Sequence, residues 1–305
     1  MKELLDSVVE EFRDIWRNGR VATYIPELAR ACPDAVGLAV CDLGSGLYTA
    51  GDWNYPFTMQ SVSKIVSLAL ALTVCGEDAV FSSVGMDPLA DPFNSIMRLE
   101  MDVPHRPHNP LINSGAIVVL SLLPWTESNE RVTAVSDLAA RMAGKPSVSM
   151  NSAVYISEKE TSDRNRALAW FLKSVGNLHG DIEDILDAYF RQCSLETNCA
   201  DLAVMGATLA ADGRNPITEE QVLTPRVARV VRTIMATCGM YDGSGEFAVS
   251  AGIPAKSGVG GGIAAAVPGM MGIGTCGPAL DSRGNSVAGL AMMKKLSEVL
   301  NLRIY

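Results

Sequence analysis

The sequence predicts an α+β protein: an antiparallel sheet drawn from both ends of the chain, flanked by terminal helices, with an all-helical lobe inserted between them. Three observations carry that expectation. Short β-branched or Gly-rich runs cluster before about residue 60 and after about residue 240. Helical spacing of apolar residues dominates between them, and helical patterns open and close the chain. The implied organisation is a discontinuous sheet lobe, residues 1–60 and 241–305, and a helical lobe, residues 61–240, with a site at their interface. With 305 residues, 48% of them hydrophobic and 19% charged, the chain can bury a large core and is not a disordered one.

Each element has its own signal. Leu4, Leu5, Val8, Val9, Phe12, Ile15 and Trp16 share one face of a helix expected over 3–18, ending near Gly19. Val36 to Cys41 and Leu47 to Ala50, joined by Asp42-Leu-Gly-Ser-Gly46, read as a hairpin. Ser61 to Cys75 is apolar nearly all round, as in a helix buried on every side. Further helices are expected over 132–142, 166–174, 182–190 and 201–211, with an irregular Pro-rich stretch at 103–110. Phe247–Ala251, Gly260–Val267 and Met270–Cys276 read as strands, with turns at Pro268-Gly269 and 281–285. A last helix is expected from about Ser286 to Leu300.

Composition excludes several functions. Lys+Arg 25 against Asp+Glu 34 gives a net charge of −9, a field that repels nucleic acid and anionic membrane surfaces. The longest strongly apolar run, Ile65 to Cys75, is too short to span a bilayer, and the charged N-terminus lacks the apolar core of an export signal. A cytoplasmic location with seven reduced cysteines is therefore expected. The odd cysteine count and the lack of a C-x-x-C spacing argue against a disulfide framework or a zinc site.

The chemistry has to come from a nucleophile. His105 and His108 sit among prolines and His179 beside a glycine, so the first two are expected to hold a loop through hydrogen bonds. Ser61-Val-Ser-Lys64 is the sharper candidate. Spacing i, i+3 puts Ser61 and Lys64 on one helical face, with Ser61 near the helix N-terminus, where free N–H groups favour developing negative charge. Lys64 lies in an apolar helix whose burial disfavours the ammonium, and a neutral lysine is a general base for a neighbouring serine. Taken alone, S-x-x-K reads as a capping serine with a snorkelling lysine. Lys256-Ser-Gly258, just before a Gly-rich strand, adds the opposite wall of a serine acyl-transfer cleft. Ser149-Met-Asn151 has the S-x-N spelling of a third motif but reads as a surface coincidence.

Six ordered blocks make the pattern specific: Tyr24-Ile-Pro-Glu-Leu28, Gln60-Ser-Val-Ser-Lys64, Asn109-Pro-Leu-Ile-Asn-Ser-Gly-Ala116, Ser157-Glu-Lys-Glu-Thr-Ser-Asp-Arg-Asn165, Cys238-Gly-Met-Tyr-Asp242 and Pro254-Ala-Lys-Ser-Gly-Val-Gly-Gly-Gly262. The chain resembles the serine-dependent glutaminases from about Val21 to Gly289, a family whose fold is similar to β-lactamases and penicillin-binding proteins. The resemblance implies hydrolysis of L-glutamine to L-glutamate and ammonia through a serine-bound γ-glutamyl intermediate, with no metal or organic cofactor. It implies Ser61 as nucleophile, Lys64 as base, and Tyr24 and Tyr241 as catalytic phenols near that serine, whose hydroxyls relay protons to the leaving ammonia. It places substrate contacts at Ser61, Asn113, Glu158, Asn165, Tyr189, Tyr241 and Val259, the last through its backbone N–H. A zwitterionic substrate suits that set, since Glu158 can meet an ammonium and the amides and phenols can meet a carboxylate. Judged singly, the asparagines read as caps, Glu158 as surface charge and Tyr189 as packing; inside the matching blocks the binding reading is the stronger. Thr161-Ser162 departs from a Gly-containing spelling, which touches loop shape. A compact bacterial-type enzyme, a homodimer or homotetramer, is implied, without the flanking regions of kidney-type relatives. The competing readings are another serine acyl hydrolase of this fold and a non-catalytic glutamine sensor.

Overall fold

The computed structural model describes residues 1–89 and 91–304. The chain opens with α1 (Lys2–Glu11), which buries Leu5, Val8 and Val9. The expected helix over 3–18 is shorter than its periodicity suggests: the regular helix stops at Glu11, and Ile15–Asn18 follows as a separate 3-10 turn. Arg13, in the break, pairs with Asp52 at 2.6 Å. The hairpin follows as β1 (Gly37–Asp42) and β2 (Gly46–Gly51), paired from Gly37↔Gly51 to Asp42↔Gly46. Asp42 Oδ1 ties the turn by accepting from the N–H groups of Gly44 and Ser45 at 2.9 and 2.8 Å.

A short strand β3 (Phe57–Thr58) leads into a 3-10 turn, Gln60–Val62, and then α2 (Ser63–Val74). After it come α3 (Glu77–Ser83), α4 (Met97–Met101), α5 (Asn113–Leu122), α6 (Ser128–Ala143), α7 (Ser152–Thr161), α8 (Asp163–Ser174) and α9 (Ile182–Cys193). Next are β4 (Glu196–Thr197), α10 (Cys199–Ala210), α11 (Pro225–Cys238) and α12 (Ser244–Ser250), then β5 (Ala255–Ser257), β6 (Gly262–Val267), β7 (Met271–Cys276) and α13 (Val287–Val299). The helices expected over 132–142, 166–174, 182–190 and 201–211 lie within α6, α8, α9 and α10, whose last turn ends at Ala210, and the closing helix is α13, capped by Ser286 Oγ accepting from the Gly289 N–H at 3.0 Å. The expected strand at Phe247–Ala251 is instead the end of α12 and the turn after it. Phe247 and Ala251 are buried four residues apart while Val249 is 83% exposed, so the run follows helical periodicity. The third strand of that region is β5.

The five strands run in the order β2-β1-β7-β6-β5, all neighbours antiparallel. Both faces are covered, and alternation along each strand sorts residues by size. Leu38, Val40, Ile263, Val267, Met271 and Ile273 face α1, α12 and α13, where Phe247, Met292, Met293 and Leu296 complete one core. Ala39, Cys41, Ala264, Ala266 and Cys276 face the helical side, together with Gly272 and Gly274. Those small residues let α10 lie directly on the sheet: a Cβ on Gly206 would come within 2.2 Å of the Ala265 carbonyl oxygen, and one on Gly272 within 2.0 Å of the Ala207 nitrogen. Beyond α10 the second core continues through α2, α5, α6, α9 and α11. A two-stranded ladder of β3 with β4 pins the chain just before Gln60 to the segment that follows α9. No helix among the described residues is long and apolar enough to cross a membrane.

Candidate active site

Ser61 sits on the 3-10 turn that feeds α2 and is buried to 7% exposure. The turn begins with Gln60 at φ +47, a left-handed conformation that a residue with a Cβ holds only when its surroundings fix it. Here β3–β4 pairing fixes the preceding residues, with the Met59 N–H donating to the Leu195 carbonyl at 2.8 Å. One turn on, Lys64 is completely buried. Its Nζ donates to Asn113 Oδ1 at 2.6 Å and to the Leu111 carbonyl at 3.3 Å. Burial lowers its ammonium to about 8, against smaller opposing effects of Cys193 and Glu158. A neutral amine has two hydrogens and one lone pair; both hydrogens have acceptors here, so the lone pair is the free valence.

The asparagines extend this contact. Asn113 opens α5, and its Nδ2 donates to Asn165 Oδ1, in the first turn of α8, at 2.9 Å. The amide chain thus runs from Lys64 through Asn113 to Asn165 and joins α2, α5 and α8. Tyr189 on α9 is buried, its ring 5.8 Å from Lys64 Nζ. Glu158 occupies a position on α7, four residues after buried Val154, where an apolar residue would be expected. It is buried, and among the described residues its Oε2 lacks a hydrogen-bond partner. Burial pushes its carboxyl up to about 8, while Gln60 and the charge on Lys64 pull the other way. A buried carboxylate with a free oxygen is a receptor for a cation.

The opposite wall is the segment after β5. Gly258 and Gly260 press on the turn that carries Ser61: a Cβ on Gly258 would come within 2.5 Å of the Met59 carbonyl oxygen, and one on Gly260 within 2.3 Å of that of Thr58. Val259 between them is held against Ser61's turn for that reason. Among the described residues, neither the Ser61 nor the Val259 backbone N–H donates to a protein acceptor. Tyr241 closes the site from another 3-10 turn, buried, at φ +56. Among the described residues its hydroxyl makes no close hydrogen bond, and the Ser61 hydroxyl is the polar group that faces it. Burial pushes the phenol up, and the Ser61 hydroxyl pulls the other way. Phe93 packs on its ring with centroids 4.8 Å apart. Tyr24 stands at the rim, 56% exposed, on a groove shared with Phe93, Val259 and Gly284.

Every residue singled out for the site except Tyr24 is thus buried around one point. Gln60, which the sequence reading did not single out, belongs with them: it is 2% exposed and faces Glu158. Its only sequence signal was its place before Ser61. The other motifs fall elsewhere. His105 Nδ1 meets the Leu99 carbonyl at 3.0 Å and His108 Nε2 meets Asp102 at 2.8 Å, so both hold the Pro-rich loop as expected. Ser149 bonds Glu196, and Asn151 caps α7. Among the described residues, no group of three or more His, Cys, Asp or Glu could hold a metal ion.

The arrangement can deprotonate a serine, hold an oxyanion on two N–H groups, and bind an ammonium and a carboxylate together. Comparison with known proteins identifies the family. A family model described as Glutaminase matches residues 19–305. The chain is 51% identical over 305 residues to a glutaminase of Clostridium botulinum (strain Loch Maree), covering 100% of both chains. It is 50% identical over 305 residues, again all of both chains, to glutaminase 2 of Clostridium perfringens (strain 13). Among solved structures it is similar to a Bacillus subtilis glutaminase in covalent complex with 5-oxo-L-norleucine, formed by reaction with 6-diazo-5-oxo-L-norleucine. That match has a TM-score of 0.91 at 36% identity, covering 100% of this chain and 99% of the other.

Proposed function

The chain belongs to the glutaminase family and hydrolyses L-glutamine to L-glutamate and ammonia, and we propose that it does so through a γ-glutamyl ester on Ser61. Lys64 takes the Ser61 proton as Oγ bonds to the side-chain amide carbon. The resulting oxyanion lies on the N–H groups of Ser61 and Val259, an arrangement worth about 10²–10³-fold in rate per donor. The C–N bond then breaks, and the leaving nitrogen takes the proton back from Lys64, relayed by the Tyr241 hydroxyl. Water attacks the ester by the same route in reverse, freeing glutamate and restoring Ser61. Glu158 receives the substrate ammonium. Asn165, with Tyr24 and Tyr189 at the edges, receives the α-carboxylate, while Asn113 holds Lys64 and Asn165 in register.

The observation that carries this reading is Lys64: fully buried, with amide and carbonyl acceptors only, and poised near neutral pH beside a serine on a strained turn. The Bacillus relative forms a covalent complex with 5-oxo-L-norleucine on reaction with 6-diazo-5-oxo-L-norleucine, which supports a covalent step in this family. The reading includes a site between a sheet lobe, residues 1–60 with 241–305, and a helical lobe, residues 61–240. It also includes a cytoplasmic homodimer or homotetramer, tested by light scattering, and activity that survives dialysis against a chelator.

The direct test is release of ammonia and glutamate from L-glutamine by wild type and Ser61→Ala side by side. Loss of at least about 10⁴-fold in kcat at unchanged melting temperature is expected. Turnover retained in the variant would overturn the acyl-enzyme.

A further inference from the structure

A second buried lysine belongs to the same region and has no part in the steps above. Lys256 lies on β5 with no exposed surface. Its Nζ donates to the Gly239 carbonyl at 3.2 Å and to the Ser257 carbonyl, and lies 4.4 Å from the centroid of the Tyr241 ring. Among the described residues it has no carboxylate within salt-bridge distance. A lysine buried without a counter-ion costs stability whether it stays charged or is held neutral by burial, and its place here needs a reason beyond stability.

The neighbouring backbone supplies one. The Gly239 carbonyl accepts from both Lys256 Nζ and the Ser257 N–H, at 3.2 and 3.0 Å. Gly239 touches β5 so closely that a Cβ there would come within 1.7 Å of the Ala255 carbonyl oxygen. Two residues further on, Tyr241 is held at φ +56, with Ser244 Oγ bridging the Met240 N–H and the Tyr241 carbonyl at 3.0 and 2.7 Å. These bonds fix the backbone of Tyr241 and leave its ring to Phe93 on one contact and Lys256 on the other. In the other direction, the strand that carries Lys256 runs directly into Gly258 and Val259. One side chain therefore touches both the phenol and the start of the segment that bears the oxyanion donor.

We infer that Lys256 is a positioning residue for glutamine hydrolysis: through its contact with the Tyr241 ring and its bonds to the Gly239 and Ser257 carbonyls, it holds the Tyr241 hydroxyl and the Val259 N–H in register over Ser61. The inference rests on Ser61 as nucleophile and extends that reading to a residue that does not touch substrate. An amine N–H over a desolvated tyrosine face attracts the ring whether or not the amine is protonated, and a hydroxyl stays aimed only if its ring is held. The groups facing Nζ agree with a role at the reacting centre. Burial above all, and then the charge of Lys64 on α2, hold its ammonium well below the usual lysine range, while Cys238 on α11 and Cys193 on α9 act the other way.

The test is a double-mutant cycle on L-glutamine hydrolysis, with kcat, KM and melting temperature read for wild type, Lys256→Met, Tyr241→Phe and the pair. Lys256→Met is expected to lower kcat about 10- to 100-fold with KM within about threefold. Added to Tyr241→Phe, it is expected to cost little more, because both changes release the same hydroxyl. Lys256→Arg keeps N–H donors beside the ring and the two carbonyls and is expected to recover part of kcat; it also carries the cycle should the methionine variant not fold. A kcat within about threefold of wild type in a folded Lys256→Met, or losses that multiply in the double variant, would overturn the inference. Ser61→Ala assayed in parallel separates the two readings. Turnover there sinks the acyl-enzyme itself, whereas multiplying losses with Ser61→Ala inactive sink only the clamp.

Discussion

Helices α2 and α10 are each twelve residues long, apolar and buried on nearly every side, yet they do opposite things. Each polar group noted on α10 has a partner: Asp201 pairs with Lys145 at 3.0 Å and is capped by Asn198, and Thr208 donates to the Met142 carbonyl at 2.8 Å. Its business is contact, with Gly206 laid on the glycines of β7. Helix α2 instead holds a whole lysine in the core, with no carboxylate in ion-pair range among the described residues, and is entered from a turn with a left-handed glutamine and a buried serine. Burial alone therefore marks a core. A buried charge displaced from its usual protonation, beside partnerless polar atoms such as Glu158 Oε2 and the Tyr241 hydroxyl, marks a site.

If that contrast is sound, the two helices fail differently when altered. The largest effect is expected on α2. Lys64→Met removes the base and relieves a buried charge, so kcat should fall about 10³-fold or more while the melting temperature holds or rises. Parallel assays of ammonia release and thermal unfolding check it, and a variant that unfolds with its activity per folded molecule intact would break the comparison. On α10 the expectation reverses. Gly206→Val drives side-chain atoms into the Ala265 carbonyl and should cost about 3 kcal/mol of stability. Its molecules that remain folded should turn over glutamine at the wild-type rate, which urea unfolding and activity titrated against folded fraction would measure.

Glu158→Gln tests the partnerless carboxylate. Losing the charge that meets an ammonium should raise KM about 10- to 100-fold. It should also stabilise the free protein, with a sign that follows from titration. The folded carboxyl is raised to about 8 from the usual 4.5, so between those values the unfolded chain loses its proton first and stability falls as pH rises. Removing the group should leave the melting temperature unchanged near pH 4.5 and raise it about 5–8 °C by pH 8. An equal change at both pH values would show that the burial of Glu158 carries no such penalty.

The same contrast explains what could be read in the sequence. The hairpin, β6, β7 and α13 were legible because turn residues bracket alternating or helical patterns. Ser61 and Lys64 were legible because i, i+3 spacing fixes a shared face. Phe247–Ala251 was not, since a five-residue apolar run fits a strand or a helical turn equally until its burial is known. Lys256 was visible as a motif, but its contact with Tyr241 depends on the fold bringing α11's end onto β5. Gln60 was invisible as a member of the site because nothing in its type announces a left-handed backbone. Position along the chain records local geometry; the site is made where strained turns from distant segments meet.

The smallest and most discriminating expectation concerns pH. Catalysis needs Lys64 neutral and Glu158 ionised, and both conditions are met as pH rises. Burial puts each near 8, so the pair titrates together in one range and apparent values belong to the pair. The profile of kcat/KM for L-glutamine should therefore climb through neutrality and level off above about 8. In Glu158→Gln the carboxylate's part is gone and its attraction no longer favours the ammonium of Lys64, so the rise should begin at lower pH although the plateau is lower. A shift the other way would mean that Lys64 is not the group whose deprotonation is being observed, and the distinction drawn between α2 and α10 would lose its chemical basis.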